Sequence, residues 1–153
     1  MYNKMISILL HNLRSMHNVG SVFRTSDGAG VTKIYLTGYT PCPPRKEIHK
    51  TALGAEEFVP WEYHQDPLEL VKKLKKQGIQ IVALEKNHQS KNIQQFKSES
   101  SVCMILGNEI DGVTTELLKL SDEILHIPMH GQKESLNVSV AFGIGVYFLT
   151  RES

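Results

Sequence analysis

The stretch IPMHGQKESLNVSVAFGIG, residues 127–145, decides how the end of the chain folds. It starts at the end of an apolar run, passes through a segment with a proline and a glycine, and enters an apolar tail with helical character. Ser135, Leu136 and Asn137 lie between the two parts. The simplest interpretation is that Ser135 caps a final helix, which we predict over residues 136–150. The triplet also has two polar counterparts upstream, which indicate a second role for it.

Length and composition indicate one folded domain. A chain of 153 residues suits a single hydrophobic core, so we predict one domain over residues 1–153. The 41% of hydrophobic and 22% of charged residues are typical of globular proteins and exclude disordered and fibrous classes. The apolar run near the start is too short for a signal peptide or a membrane span. Cys42 and Cys103 show no paired spacing, and we therefore predict a cytoplasmic protein with no membrane partner.

Charge is distributed unevenly, although the formal net charge is only +1. Residues 1–50 contain seven Lys or Arg and two acidic residues, a net charge of +5, so the rest of the chain carries −4. A basic half of this kind is consistent with contact to phosphates. It is equally consistent with a solvated surface whose asymmetry arose by chance, so charge alone leaves both interpretations open.

Apolar runs alternate with helix-like segments along most of the chain. We predict strands over residues 5–10, 33–37, 80–84, 101–106 and 123–127, with a weaker candidate over 58–63. We predict helices from Asn18 to Gly28 and over residues 66–77, 115–120 and 136–150, with a loop over 38–47. This alternation is typical of an α/β fold in which helices flank both faces of a mostly parallel sheet. Ligands in such folds bind at the carboxyl ends of the strands, so we expect a site beside the turns after Leu106 and Ile127.

The predicted helix over residues 66–77, DPLELVKKLKKQ, has clear boundary signals. Asp66 is its expected cap, and Pro67 occupies the first helical position. Its four lysines lie opposite a stripe of Leu and Val. Such lysines fit RNA binding, but a solvated helix face is the commoner reason for this pattern, and we favour that interpretation.

A first polar motif lies in residues 11–31, HNLRSMHNVGSVFRTSDGAGV. Gly20 removes a side chain in the first turn of a predicted helix, and Arg24 follows one turn later. A helix N-terminus with an arginine nearby is suited to bind a phosphate. Two simpler interpretations remain open: Asn18 caps the helix, and Arg24 forms a surface ion pair with Asp27.

A second polar motif, LGNEIDGVT, covers residues 106–114. Gly107 directly after an apolar strand allows a ligand to pack on the backbone, and Glu109 adds a carboxylate. An ordinary strand-to-helix turn is the alternative. The motif lacks the sequences of phosphate and dinucleotide loops, and the chain has no zinc-ligand pattern or hydrolase elbow, so we predict no metal.

Together, in this order, the three motifs resemble those of the SpoU (TrmH-like) family of the SPOUT superfamily, the RNA ribose 2′-O-methyltransferases. The resemblance covers nearly the whole chain, and the third motif is very specific. The matching positions are Asn18, Gly20 and Arg24 in the first motif, Gly107, Glu109 and Gly112 in the second, and residues 127–129 with 135–141 in the third.

The resemblance implies a fold that the sequence pattern does not predict. In this family the C-terminal part of the sheet forms a trefoil knot, which is an exception among proteins. S-adenosylmethionine binds in the knot, where Gly107, Ile127 and Leu136 would frame the adenosine through backbone contacts, with Leu84 as a fourth candidate. The family acts as a homodimer, and Arg24 would extend toward the cofactor of the partner.

The resemblance also implies a reaction, methyl transfer from S-adenosylmethionine to a ribose 2′-hydroxyl of tRNA or rRNA. An arginine stays protonated in nearly any protein setting, so Arg24 would hold a phosphate and stabilise the emerging alkoxide. The orienting residues would be Asn18, Glu109, Ser135 and Asn137. The chain corresponds to the catalytic domain alone, without an added RNA-binding domain, and it departs from relatives at His11 and Met16, where an acidic residue and a proline are common.

Three other functions remain as alternatives. The first is an RNA-binding protein with the same fold and no turnover, which the intact set of polar residues disfavours. The second is a base-directed RNA methyltransferase. The third is a small-molecule α/β enzyme, and the missing phosphate-loop and dinucleotide motifs disfavour it.

Overall fold

The computed structural model of the protein describes residues 4–151. Its strands are β1 (Ile6–His11), β2 (Lys33–Thr37), β3 (Trp61–His64), β4 (Gln80–Leu84), β5 (Lys91–Asn92), β6 (Val102–Leu106) and β7 (Glu123–His126). Its α-helices are α1 (Met16–Ala29), α2 (Lys46–Ala52), α3 (Pro67–Lys76), α4 (Thr115–Leu120) and α5 (Val138–Thr150). Short 3₁₀ helices cover Ala55–Glu57 and Ile93–Gln95.

The strands form one seven-stranded sheet in the order β3-β2-β1-β6-β4-β7-β5. Every pairing between these strands is parallel. The central strands β1 and β6 are almost wholly buried, because helices cover both of their faces. The prediction of a parallel α/β sheet flanked by helices is confirmed.

Side chains of the sheet divide between two hydrophobic cores, as the alternation along a strand requires. In β1, Ile8 and Leu10 face the core beneath α1, α2 and α5, whereas Leu9 faces the core beneath α3 and α4. The first core contains Phe23 and Phe142, both fully buried. All the polar motifs of the sequence therefore lie on the first face or at the edge of the sheet.

Helix α3 forms as its sequence predicts. The Asp66 carboxylate accepts hydrogen bonds from the N–H groups of Leu68 (2.9 Å) and Glu69 (3.4 Å), and Pro67 begins the helix. Leu70, Val71 and Leu74 are buried, and the lysines lie on the opposite face. This arrangement supports the interpretation of a solvated face.

The prediction of a loop over residues 38–47 is wrong at its end, because α2 begins at Lys46. Arg45 gives this helix no side-chain cap, so the sequence carries no local start signal. Tertiary contacts hold it instead: Ile48 and Ala52 are buried, and α2 packs on α1 at Gly20. A Cβ atom at Gly20 would overlap the Thr51 side chain and the Ile48 carbonyl, so glycine permits the close crossing.

The carboxyl ends of the parallel strands meet at one edge of the sheet. The loops after β1, β2, β4, β6 and β7 lie along this edge, together with the first turn of α1. None of the helices within residues 4–151 is long and apolar enough to span a membrane.

Candidate active site

A cavity of about 200 Å³ opens at the carboxyl ends of β4, β6 and β7, beside the first turn of α5. It lies beside the turns after Leu106 and Ile127, where the sequence analysis places the expected site. The lining brings together six of the residues predicted from the sequence: Leu84, Gly107, Glu109, Ile127, Ser135 and Leu136. Asn18, Arg24 and Asn137 do not line it.

Glu109 links the cavity to the start of α1. One of its carboxylate oxygens accepts hydrogen bonds from the Ser15 N–H group (2.9 Å) and the Asn18 side-chain amide (3.2 Å), and the other accepts one from the Arg14 N–H group (3.0 Å). Partial burial acts to raise the pKa of this carboxyl group, but the hydrogen bonds outweigh it, and the pKa lies below its ordinary value. Glu109 is therefore an ionised acceptor at neutral pH, which suits it to orient neighbouring donors.

The prediction that Asn18 caps α1 is wrong. Ser15 is the cap, and its hydroxyl accepts a hydrogen bond from the Asn18 N–H group at 3.1 Å. Asn18 lies in the first turn, buried at 5% exposure, with its side chain turned to Glu109. A buried amide requires a partner, and the carboxylate that arrives from the turn after β6 supplies it.

The turn after β6 is folded tightly around Gly107. A Cβ atom there would overlap the backbone of Gly112 and Val113, so no other residue fits without rearrangement. Gly112 has a left-handed backbone (φ 74°), and a Cβ atom on it would overlap the Glu85 carboxylate. The glycines of the second motif thus allow the turn to close, and Gly107 remains a cavity wall without a side chain.

Glu85 is a site residue that the sequence prediction missed. It follows β4 directly, lines the cavity, and accepts a hydrogen bond from the Val113 N–H group at 2.7 Å. This bond fastens the end of the turn to the residue that follows β4. The expectation that ligands bind beyond the carboxyl ends of strands, applied to the strand that ends at Leu84, would have identified it.

Asn108 was also missed, although it is buried and lines the same cavity. Its side-chain amide donates hydrogen bonds to the Asn12 carbonyl oxygen and to the Tyr39 hydroxyl oxygen, both at 2.9 Å. Its side-chain oxygen accepts from the N–H groups of Ile110 (2.8 Å) and Asp111 (2.9 Å). Asn108 therefore joins the loops after β1, β2 and β6.

The third motif differs from its simplest interpretation. Helix α5 starts at Val138 and not at Leu136, because Asn137 is its cap and accepts a hydrogen bond from the Ser139 N–H group at 2.9 Å. Ser135 is not the cap and instead lines the cavity with Leu136.

Arg24 is exposed on α1. Within residues 4–151 its side chain forms no hydrogen bond and no ion pair. The alternative interpretation, a surface ion pair with Asp27, is therefore wrong. Its guanidinium group is free to meet another molecule.

The chemistry of the lining limits what can bind. Apolar walls come from Leu84, Ile127 and Leu136, and carboxylates come from Glu85, Glu109 and Glu134, with Lys86 as the one cation in the lining. Such a surface suits a ligand with apolar parts and a positive centre better than one with phosphates. Residues 4–151 contain no group of side chains suited to hold a metal ion.

Comparison with known proteins identifies relatives of this chain. Residues 5–147 match the SpoU rRNA Methylase family. The tRNA (guanosine(18)-2′-O)-methyltransferase of Aquifex aeolicus (strain VF5) is 31% identical over 150 residues, which cover 97% of this chain and 70% of that protein. Across such curated relatives the chain spans 58% to 75% of their length.

Two solved structures share the fold. The TrmH/SpoU tRNA modifying enzyme of A. aeolicus superposes with a TM-score of 0.88 at 30% identity, covering 98% of this chain and 76% of that one. The AdoMet-bound rRNA methyltransferase of Sinorhizobium meliloti gives a TM-score of 0.91 at 26% identity, with 99% and 57% coverage. With the match over residues 5–147, these similarities show that the chain belongs to the SpoU rRNA methylase family.

Proposed function

We propose that this protein is an S-adenosylmethionine-dependent methyltransferase that modifies a ribose 2′-hydroxyl in tRNA or rRNA. The observation that carries the proposal is the Glu109 cluster. In this cluster Glu109 accepts hydrogen bonds from Arg14, Ser15 and Asn18. It thereby holds the start of α1, the helix that bears Arg24, beside the cavity lined by Gly107, Ile127 and Leu136. The named activities of the relatives, on tRNA and on rRNA, agree with it.

The cavity fits the cofactor. Gly107, Ile127 and Leu136 would frame the adenosine, with Leu84 as a fourth residue beside it. The carboxylates of the lining would accept hydrogen bonds from the hydroxyl groups of the cofactor and face its positive sulfur. The bound cofactor supplies an activated methyl group on a sulfonium, so the transfer requires no metal. Glycine at position 107 keeps a side chain out of this wall.

The remaining residues would act on the RNA. Arg24, permanently protonated, would hold the phosphate next to the target ribose and stabilise charge that develops on the 2′-oxygen. Ser135 and Asn137 would orient the ribose from the rim. Asn18 and Glu109 hold the first turn of α1 and so position Arg24, which makes them positioning residues.

The active form is a homodimer in this proposal. Along α5, Val140, Ile144 and Tyr147 form an apolar stripe that is 50%, 37% and 52% exposed, and a second subunit would cover it. Arg24 lies outside the lining of its own subunit's cavity. Its free guanidinium supports a role at the cofactor of the partner.

Three further features belong to the same proposal. The segment from residue 127 to 137 would pass through the trefoil knot and bring Leu136 against the cofactor. Residues 1–153 would form one catalytic domain, with substrate RNA bound on its own surface. The two unpaired cysteines support a cytoplasmic location.

The test is methylation of RNA by the purified protein. It is incubated with a labelled methyl donor and either undermodified tRNA or undermodified rRNA, and nuclease digestion with nucleoside analysis then locates the label. Label on a ribose supports the proposal, whereas label on a base indicates a base-directed enzyme. Cofactor and RNA binding without any transfer indicates a binding protein.

A further inference from the structure

We propose that Tyr39 and Arg14 form a nucleotide clamp, which binds a nucleotide adjacent to the methylated ribose in the substrate RNA. This clamp rests on the proposed function. It assigns a substrate-binding role to two residues that are not among the matching positions of the three motifs. Tyr39 supplies a stacking surface for the base, and Arg14 supplies a cation for a phosphate.

The two residues lie on loops that are joined to each other. The Asn12 N–H group donates to the Thr37 carbonyl (3.3 Å), the Asn12 side-chain oxygen accepts from the Tyr39 N–H group (3.0 Å), and the Leu13 N–H group donates to the Thr40 hydroxyl (3.1 Å). Asn12 has a left-handed backbone (φ 58°), as does Gly38 (φ 64°), which has no room for a side chain beside the Asn12 oxygen. The loops after β1 and β2 thus form one rigid surface.

Tyr39 is large, exposed and fixed. The residue is 58% exposed, although its hydroxyl group accepts a hydrogen bond from Asn108 at 2.9 Å. The hydroxyl fixes the ring beside a residue of the cavity wall while much of the ring stays open to solvent. An aromatic ring held in this way loses little entropy when a base stacks on it, and such stacking tolerates any base.

Backbone hydrogen bonds connect the Arg14 segment both to the cavity lining and to the Tyr39 loop. Its N–H group is bound to Glu109, and the preceding residue, Leu13, is bound to Thr40 in the Tyr39 loop. Its exposed guanidinium group has no hydrogen-bond or ion-pair partner within residues 4–151. A cation with a fixed backbone and a free head is suited to bind one phosphate of a nucleic acid.

The other edge of the sheet offers matched comparisons. Phe58 is 74% exposed, but it precedes β3 and so lies at the opposite edge of the sheet, where the strands begin. Lys76 ends α3 just before β4 starts, at that same opposite edge. Both are exposed side chains of similar chemistry that lie away from the cavity, and neither belongs to the clamp.

The experiment uses whichever RNA, tRNA or rRNA, the unaltered protein methylates, and measures binding by filter retention over a range of salt concentrations. We expect Tyr39→Leu to weaken RNA binding roughly 5- to 100-fold, because stacking is lost, and Tyr39→Phe to keep most of the affinity. We expect Arg14→Gln to reduce the slope of log K against log[salt] by about 0.7 to 0.9, the value for one phosphate contact. Phe58→Leu and Lys76→Gln should behave as the unaltered protein does.

Binding of S-adenosylhomocysteine, measured by calorimetry, shows that each variant keeps its fold and its cavity. If Tyr39→Leu binds RNA as tightly as Phe58→Leu does, the clamp is overturned. The proposed function is then still supported by methylation of RNA by the unaltered protein. Equal losses in Tyr39→Phe and Tyr39→Leu also overturn it, since the hydroxyl link to Asn108 and not stacking would then explain the loss. If the unaltered protein methylates neither RNA, the proposed function fails and the clamp fails with it.

Discussion

Helices α1 and α3 each begin at a side chain that caps the first turn, yet the residues after the cap differ between the two helices. Ser15 caps α1 and Asp66 caps α3. After its cap, α3 alternates a buried stripe with exposed lysines. After its own cap, α1 buries Asn18 and places Gly20 against α2. A helix therefore departs from the simple amphipathic pattern where another element depends on its side chains.

We expect the largest effect from Arg24→Ala in α1, because the variant lacks the cation that would stabilise developing charge. Loss of one preorganised electrostatic contact lowers turnover roughly 100- to 1000-fold. Arg24→Lys should restore little, since an ammonium group lacks the planar fork of a guanidinium. Methyl incorporation into RNA measures turnover, and cofactor binding should be unchanged. Lys73→Ala in α3 is the control, and wild-type turnover in Arg24→Ala would contradict the proposed role.

Mixed dimers show on which subunit Arg24 acts. Arg24→Ala and Gly107→Val are each expected to be inactive, the second because a branched side chain disrupts the turn beside the cofactor. If Arg24 acts across the dimer, a hybrid has one intact site, and mixing restores part of the activity. No recovery after confirmed subunit exchange places Arg24 beside the cofactor of its own subunit.

Gly20→Ala tests the contact between α1 and α2. Alanine normally stabilises a helix by about 1 kcal/mol relative to glycine. At this position the new methyl group would overlap Thr51 and the Ile48 carbonyl, so we expect the free energy of unfolding to fall by roughly 1–3 kcal/mol. Urea denaturation measures the change.

Gly28→Ala in the same helix is the matched control. A Cβ atom there meets only the Tyr147 hydroxyl at 3.2 Å, the mobile end of a long side chain. We expect this variant to gain about 0.5–1 kcal/mol. A gain in both variants would show that α2 does not pack as closely on α1 as the structure indicates.

Local signals were sufficient wherever neighbours in sequence determine the structure. Asp66 with Pro67 predicted the start of α3, and the strands over residues 33–37 and 80–84 were predicted with the bounds that the structure gives. The rule that ligands bind at the carboxyl ends of parallel strands also predicted a site near Gly107 and Ile127, and both residues line one cavity. These features depend on periodicity, capping and strand direction, all of which a single sequence contains.

Long-range contacts explain what the sequence did not reveal. Asparagine is a residue type that commonly caps helices. Only the hydrogen bond from Asn18 to Glu109, 91 positions away, explains why Asn18 is instead buried in the first turn of α1. Helix α2 lacks a cap and is held by contacts with α1. Tyr39 and Asn108 are 69 positions apart, and the local sequence around each gives no signal of the hydrogen bond between them.

Asn18→Asp tests the Glu109 contact through pH. The variant places a second carboxyl group beside Glu109, and this like charge raises the pKa of one of the two. We expect a loss of roughly 1–2 kcal/mol in the free energy of unfolding at pH 7. The hydrogen bonds that lower the pKa of wild-type Glu109 stabilise the fold above about pH 4.5, its pKa when unfolded, and this contribution is lost as the pH falls through the folded pKa.

The difference in the free energy of unfolding between Asn18→Asp and wild type should therefore narrow as the pH falls from 7 to 4. The carboxyl group with the raised pKa takes up its proton first, and wild-type Glu109 loses its own contribution below about pH 4.5. Urea denaturation of both proteins at pH 7 and pH 4 measures this difference in the free energy of unfolding. Asn18→Ala, which adds no charge, should show less narrowing. A difference that is constant with pH would contradict direct contact between the two side chains.

The smallest expected loss of stability comes from removing the two caps, and these variants compare the two helices most directly. Asp66→Ala leaves two N–H groups of α3 without their acceptor and should cost about 1 kcal/mol in the free energy of unfolding, with no change in turnover. Ser15→Ala should cost a similar amount, because it removes the acceptor of one N–H group in α1. Unlike the α3 variant, it should also lower turnover, since Ser15 holds the turn that presents Asn18 to Glu109. Urea denaturation and methyl incorporation separate the two effects, and equal turnover in both variants would show that the first turn of α1 has no more bearing on catalysis than that of α3.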